Sequence, residues 1–426
     1  MRLGGTVFLV SMLILASSCS HNENSLNENI PQQLKTNSWS FDIANSESFF
    51  EVVNIADTYP THFAKFTPMP FEGSGQLQMS WKTEIGIFNV DPSIMYNTDI
   101  IPLEDFWVLI MTDPSNTYSQ KSFLINPKNG ETKLVDISPG VSDGETIWME
   151  QDTAGSTVCW NKTKGNIWLA KGFNSSEGLF HDYSFEIAGG RLLLVSNKGN
   201  NRLHSCNIST INPITGIIEK SITSDIHVSS IFSTSTSNLA LLECYNTTQI
   251  ISDNISIDTL IYHYFVLDTY NLETKEVFVG QYLQLIKAGD SLFAYEGENL
   301  HKLSDTLDTF SSTFEIGERL KFDKGSVGNY FLAVESTDSE SEYLLINYTS
   351  GEVKPLTLTT PQIINGILIE NTISQIRAID PDTFEPIWWI DLSDEDLGNN
   401  LRVIWCDWRG VLVMSDTKLV CYDAGE

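Results

Sequence analysis

The chain is 426 residues long and carries 55 Asp and Glu against 25 Lys and Arg, a formal net charge of −30. Neutralising a phosphate backbone takes a basic stripe, and so large an acidic excess leaves no cations from which to build one; nucleic acid is therefore excluded as a partner. With 41% hydrophobic residues the chain can bury a core, which excludes bulk disorder.

At the amino terminus, Arg2 precedes an apolar run from Val7 to Leu15, and the small residues Ala16, Ser17 and Ser18 lead to Cys19. That order predicts a signal peptide over residues 1–18, whose apolar core is too short to cross about 30 Å of hydrocarbon as a helix. Because the small residues stop at a cysteine, the segment resembles the lipobox of bacterial lipoproteins, with Leu15 one place earlier than the usual position, where Ala16 stands. The resemblance implies acylation of the Cys19 thiol and a membrane held through that residue. With Ser20 following, it implies the outer membrane of a Gram-negative bacterium, on its periplasmic or cell-surface side. Acyl chains at about 0.8 kcal/mol per buried CH₂ make a durable anchor when three are attached. The alternative is an ordinary secretory signal with a chance cysteine. Residues 19–37, rich in Asn and without periodicity, predict a flexible tether.

Residues 38–426 read as a single domain of short strands. Ser46 to Ala56 is the one stretch with helical character, and Gln76 to Ile85 is a lone strand ahead of the first full unit. Runs such as Arg191 to Val195, Leu239 to Cys244, Tyr343 to Asn347 and Val411 to Met414 are apolar at consecutive positions, which requires both faces of the strand to be covered. Three turns share an Asn followed four places later by Gly: Asn126 to Gly130, Asn212 to Gly216 and Asn347 to Gly351. A fourth begins at Asp380 and has Phe384 in place of the glycine, and looser versions stand at Asp268, Asp305 and Asp423. The Asn or Asp side chain caps such a turn and the Gly takes the left-handed conformation that closes a bulged hairpin. The copies recur at roughly 33 to 56 residues or about twice that, the size of a four-stranded propeller blade.

Trp148, Trp160 and Trp168 mark a degenerate unit between Asn126 and Asn212. The count is then an all-β propeller of eight blades, with seven as the alternative. A β-sandwich would explain the strand content but not the period. The last unit supplies only three strands, so Gln76 to Ile85 is expected to complete it and close the ring, covering an edge that would otherwise invite aggregation.

Five cysteines follow Cys19, an odd number with no C-x-x-C, and they read as buried thiols. For the closest pair, strands with Cys406 opposite Val413 and Val413 opposite Val420 would place Cys421 on the other face of the sheet, so no bridge is expected. The seven histidines lack metal-ligand spacing, and His263 reads as structural. Asp391, Asp394, Glu395 and Asp396 form an acidic loop without the ligand order of a calcium site. No metal site is expected.

In the segment Ile363 to Leu392, the residues Ala378, Asp380, Thr383 and Trp388 match the repeat signature of the PQQ-repeat propellers, and the chain resembles that family. The resemblance implies that Trp388, and Trp81 on the closing strand, pack between blades as structural aromatics. Its quinone-binding branch carries adjacent cysteines, which this chain lacks, so no cofactor is expected. Its cofactor-free, lipid-anchored branch includes the propeller lipoprotein of the outer-membrane β-barrel assembly machine, similar in lipobox, tether and ring. The functional expectation is a non-catalytic envelope scaffold that binds a protein or a glycan. The alternative is a propeller hydrolase or lyase acting on extracellular polysaccharide, with catalytic carboxylates or a His-Tyr pair converging from different blades.

Overall fold

The computed structural model describes residues 42–43, 51–52, 64–84, 97–150, 157–163, 165–171, 180–199, 204–213, 216, 218–234, 237–252, 255–280, 282–336, 341–392, 397 and 400–424. The signal peptide, Cys19 and the tether lie outside these residues, as do Asp394, Glu395 and Asp396. Among the described residues every regular element is a β-strand. Leu192 to Val195 and Val411 to Val413 are each at most 1% exposed. Successive side chains of a strand point to opposite faces, so both faces are covered.

The strands form eight sheets taken in chain order, each with antiparallel strands a to d from the axis outward. Blade I is Asn97–Pro102, Trp107–Asp113, Asn116–Ile125 and Thr132–Val135, and blade II is Gly140–Ser142, Thr146–Glu150, Thr157–Asn161 and Gly165–Lys171. Blade III is Phe180–Ala188, Arg191–Gly199, His204–Ile211 and Ile218–Ser224, and blade IV is His227–Ser233, Leu239–Ser252, Ile255–Asp268 and Thr274–Gly280. Blade V is Gln284–Ala288, Ser291–Glu296, Asn299–Leu303 and Phe310–Glu315, and blade VI is Leu320–Val327, Tyr330–Ser336, Ser341–Asn347 and Val353–Leu356. Blade VII is Gln362–Ile364, Ile367–Asn371, Gln375–Ile379 and Pro386–Asp391. Blade VIII takes strands a to c from Arg402–Asp407, Gly410–Met414 and Lys418–Asp423, and its strand d from Gln78–Glu84. The fold is thus an eight-bladed β-propeller.

Closure works as the sequence predicts, with one refinement. The expected single strand is split: Gly75–Gln76 runs parallel to Trp388–Trp389 as a fifth strand of blade VII, and Gln78–Glu84 then pairs antiparallel with Lys418–Asp423. Trp81, Trp107 and Leu412 belong to one apolar cluster that joins blade VIII to blade I. Comparable clusters join IV to V through Leu241, Tyr264 and Leu292, and VII to VIII through Ile369, Trp388 and Val413. Hydrogen bonds add to this packing: Val228 N donates to Asn197 Oδ1 at 3.0 Å, and Asn197 Nδ2 donates back to Val228 O at 2.8 Å, joining III to IV. At the next junction Leu283 N donates to Tyr264 Oη at 2.7 Å.

Two expectations need correction. Glu51–Val52, inside the stretch read as helical, is a strand that pairs with Ala170 and Lys171 on the outer edge of blade II; tertiary pairing overrides the local pattern. Asp42–Ile43 does the same for blade III. Cys406 lies opposite Val411, not Val413, because the tight turn falls at Trp408 and Arg409, with Asp407 opposite Gly410. Val413 does face Val420, and Leu412 faces Cys421. Cys406 and Cys421 still point to opposite faces, one into the VII–VIII cluster and the other into the VIII–I cluster.

Candidate functional site

The repeated turns are c-to-d connections except at Asp423, which ends strand c of blade VIII and makes no such turn, because strand d there is Gln78–Glu84. At Asn126 the side-chain oxygen accepts from Lys128 N at 3.0 Å, while Gly130 N donates to Asn126 O at 2.9 Å with Gly130 at φ +73°. Asn347 and Gly351 repeat this, with Thr349 N donating to Asn347 Oδ1 at 2.9 Å and Gly351 at φ +77°. Gly216 N donates to Asn212 O at 2.8 Å, and Gly216 has φ +70°. Where glycine is missing the conformation persists, with Phe384 at φ +59° after Asp380 and Leu272 at φ +61° after Asp268. In blade V the turn begins at Ser304 rather than Asp305, since Leu307 N donates to Ser304 O at 2.9 Å. Asn161 to Gly165 is a further copy in blade II, with Gly165 at φ +74°. Trp81 docks on the turn of the next blade: its Nε1 donates to Pro127 O at 2.7 Å, and a Cβ on Gly130 would stand 2.6 Å from its ring. Trp388 is buried between blades VII and VIII, its ring meeting Phe71 edge to face at 6.0 Å.

The two mouths of the central channel differ. At the a-to-b mouth, Lys65 pairs with Glu186 of blade III at 3.5 Å and Phe66 N donates to Ser142 O of blade II at 2.8 Å. Further along, Trp408 N of blade VIII donates to Met69 O at 3.0 Å and Asn365 Nδ2 of blade VII donates to Pro68 O at 3.3 Å. Blades III and VII stand opposite each other in an eight-membered ring, so the segment from Lys65 to Phe71 crosses the mouth. Beside it, fully buried Asp407 accepts from Trp107 Nε1 at 2.8 Å, Trp405 Nε1 at 2.7 Å and Arg409 Nη2 at 2.5 Å. Arg409 Nη1 in turn donates to Leu103 O and Phe106 O of blade I. Every charge is satisfied within the protein, so this network stitches VIII to I and leaves no group to act on a ligand.

The opposite, b-to-c mouth carries a cleft between blades IV and V. Glu243 interrupts the apolar run of blade IV strand b and faces blade V, as do Leu241 and Tyr264. A bulge between Val228 and Ser230 in strand a frees Ser229, whose Oγ donates to Glu243 Oε1 at 2.7 Å. Burial pushes the Glu243 carboxyl up, and the Ser229 hydrogen bond only partly offsets this. Burial also raises the phenols of Tyr262, Tyr264 and Tyr282, and the nearby Glu243 charge adds to each. A row of rings runs outward from strand a. His227 and Tyr245 lie 4.5 Å apart between centroids, Tyr245 and Tyr262 6.4 Å, and Tyr262 and Tyr282 4.9 Å. Tyr282 is 55% exposed. Past Tyr245 and Tyr262, strands b and c continue alone as a two-stranded arm to Ser252 and Ile255.

Among the other residues singled out in the sequence, His263 Nδ1 meets Glu276 Oε1 at 2.8 Å on the face of blade IV away from this cleft. Cys159, Cys206, Cys244, Cys406 and Cys421 are buried free thiols, and burial pushes them all up, Cys206 to about 12. Among the described residues no three His, Cys, Asp or Glu side chains gather as metal ligands. The cleft had one sequence signal, a lone Glu inside a doubly covered apolar run. Its partners Ser229, Tyr262 and Tyr282 come from three other segments.

No protein-family model and no curated protein matches the chain. Among solved structures it is similar to the quinohemoprotein alcohol dehydrogenase of Comamonas testosteroni, at 8% identity and a TM-score of 0.51, over 86% of this chain and 79% of that one. The likeness is one of fold, the propeller. The acylaminoacyl peptidase of Pyrococcus horikoshii aligns at 13% identity and a TM-score of 0.43, over 67% of this chain and 51% of that one. The β-propeller domain of the Trilobed protease of Pyrococcus furiosus aligns at 10% identity and a TM-score of 0.41, over 67% of this chain and 96% of that one.

Proposed function

We propose that the protein is a lipid-anchored cell-envelope propeller that acts as a non-catalytic scaffold, binding a protein or a glycan at its b-to-c face. The observation that carries this reading is the inequality of the two mouths. One is crossed by the chain's own segment from Lys65 to Phe71, while the other carries the blade IV arm and the tyrosine-lined cleft. The lipobox at Cys19 supplies the anchor, in keeping with the lipid-anchored branch of the PQQ-repeat resemblance. Cys19→Ser is expected to move the protein from the membrane pellet to the soluble fraction; a variant that stays in the pellet would overturn the anchor.

A second reading, a hydrolase or lyase acting on extracellular polysaccharide, draws on the contact of His227 with Tyr245, which meet within blade IV and not from different blades, and on a Glu243 that holds its proton more tightly than an exposed glutamate. Reducing ends or unsaturated products released from polysaccharide by the purified protein would support it. Their absence alongside saturable binding would support the scaffold.

A further inference from the structure

We propose that the cleft between blades IV and V is a subsite for a neutral oligosaccharide, which stacks on Tyr245, Tyr262 and Tyr282 and donates hydroxyl hydrogen bonds to Glu243. The inference rests on the binding-scaffold reading and names the ligand class of its b-to-c face.

Three features converge. The rings succeed one another across the sheet, with Tyr245 and Tyr262 inclined at 61° and Tyr262 and Tyr282 at 57°. They form a row, not a cage around one point, and a row suits an extended ligand with apolar C–H faces better than a single ammonium group. At the foot of the row, Glu243 is only 8% exposed, and among the described residues Ser229 alone donates to it, at Oε1. A poorly solvated carboxyl with an oxygen to spare accepts a hydroxyl donor readily. Ser229 beside that carboxyl and Tyr282 at the outer end of the row are both exposed, so solvent reaches the site. Charge then selects within the class. A net charge of −30 and a carboxyl in the cleft repel uronate chains, and no Lys or Arg stacks on any of the three tyrosines among the described residues.

The test uses the full-length protein in detergent and isothermal titration calorimetry with maltohexaose, cellohexaose, mannohexaose, laminarihexaose and xylohexaose. Trigalacturonate and choline serve as charged comparators. At least one neutral hexasaccharide is expected to bind. Tyr282→Ala and Tyr262→Ala should each weaken it by about tenfold or more, Tyr262→Phe by much less, and Glu243→Gln measurably. Ile373→Ala, fully exposed on the b-to-c turn of blade VII, should leave affinity unchanged. The proposal is overturned if no neutral hexasaccharide binds, if binding survives both tyrosine-to-alanine changes, or if only a charged comparator occupies the cleft. Binding with release of reducing ends would overturn the non-catalytic reading and leave the subsite standing. Failure of every hexasaccharide would remove the subsite and leave an anchored scaffold for a protein partner.

Discussion

Glu243 occupies a position where an apolar residue would pack without cost, so its ionisation should be visible in the stability of the whole domain. Its folded carboxyl titrates above its unfolded value, chiefly through burial. The native state therefore holds the proton more tightly than the unfolded chain does, and stability falls as pH rises from about 4.3 through the raised folded value. Below both values the residue is neutral in either state and has no such effect. Glu243→Gln keeps an oxygen to accept from Ser229 but cannot ionise. Its urea midpoint should exceed that of the parent at pH 8 and converge with it at pH 4. A difference independent of pH would mean that shape, not charge, sets the cost at this site. Only the oddity of this residue was legible in the sequence. What buries it is a bulge in one strand and rings from two others, and these have no local pattern to betray them.

The element that repeats is the c-to-d turn, and its glycines serve two separable purposes. Gly130 and Gly165 have nearly the same backbone, at φ +73° and +74°. A Cβ at Gly130 meets the Trp81 ring at 2.6 Å, whereas one at Gly165 has nothing within 4 Å. Gly165→Ala should cost only the left-handed strain, about 1 kcal/mol. Gly130→Ala adds a collision with a docked indole and should cost about 2–4 kcal/mol, read from chemical denaturation. Equal losses would show that Trp81 yields freely and that its docking is incidental. The turn was readable from sequence because its chemistry is local: an acceptor at the first position and a left-handed residue four places on. Blade V was misplaced by one residue, at Asp305 instead of Ser304, because a serine start and a leucine in the left-handed position carry no signature. The fifth strands at Asp42–Ile43 and Glu51–Val52 were missed for the opposite reason. Two residues on an outer edge are fixed wholly by their partners.

At the scale of the whole molecule, what distinguishes a closed ring from an open stack of repeats is that the last junction ties the first unit to the last. Closure was legible because the final unit was one strand short and a lone strand stood near the start. The crossing of the channel mouth by Lys65 to Phe71 was not, since an irregular segment has no periodicity to read. The closing junction also holds the buried pair Asp407 and Arg409, with the indoles of Trp107 and Trp405 on the carboxylate and the carbonyls of Leu103, Glu104 and Phe106 on the guanidinium. Arg409→Leu would leave that carboxylate buried without its counter-charge, at a cost of about 3–5 kcal/mol. In an open array such a loss would be confined to the terminal unit, and its melting would precede the rest. In the closed ring every blade leans on two neighbours, so far-ultraviolet circular dichroism and tryptophan fluorescence should report one transition, shifted together to lower temperature. Two separated transitions, with the main one left at the parent's midpoint, would show that blade VIII melts alone and that the closing strand does not couple the ends of the chain.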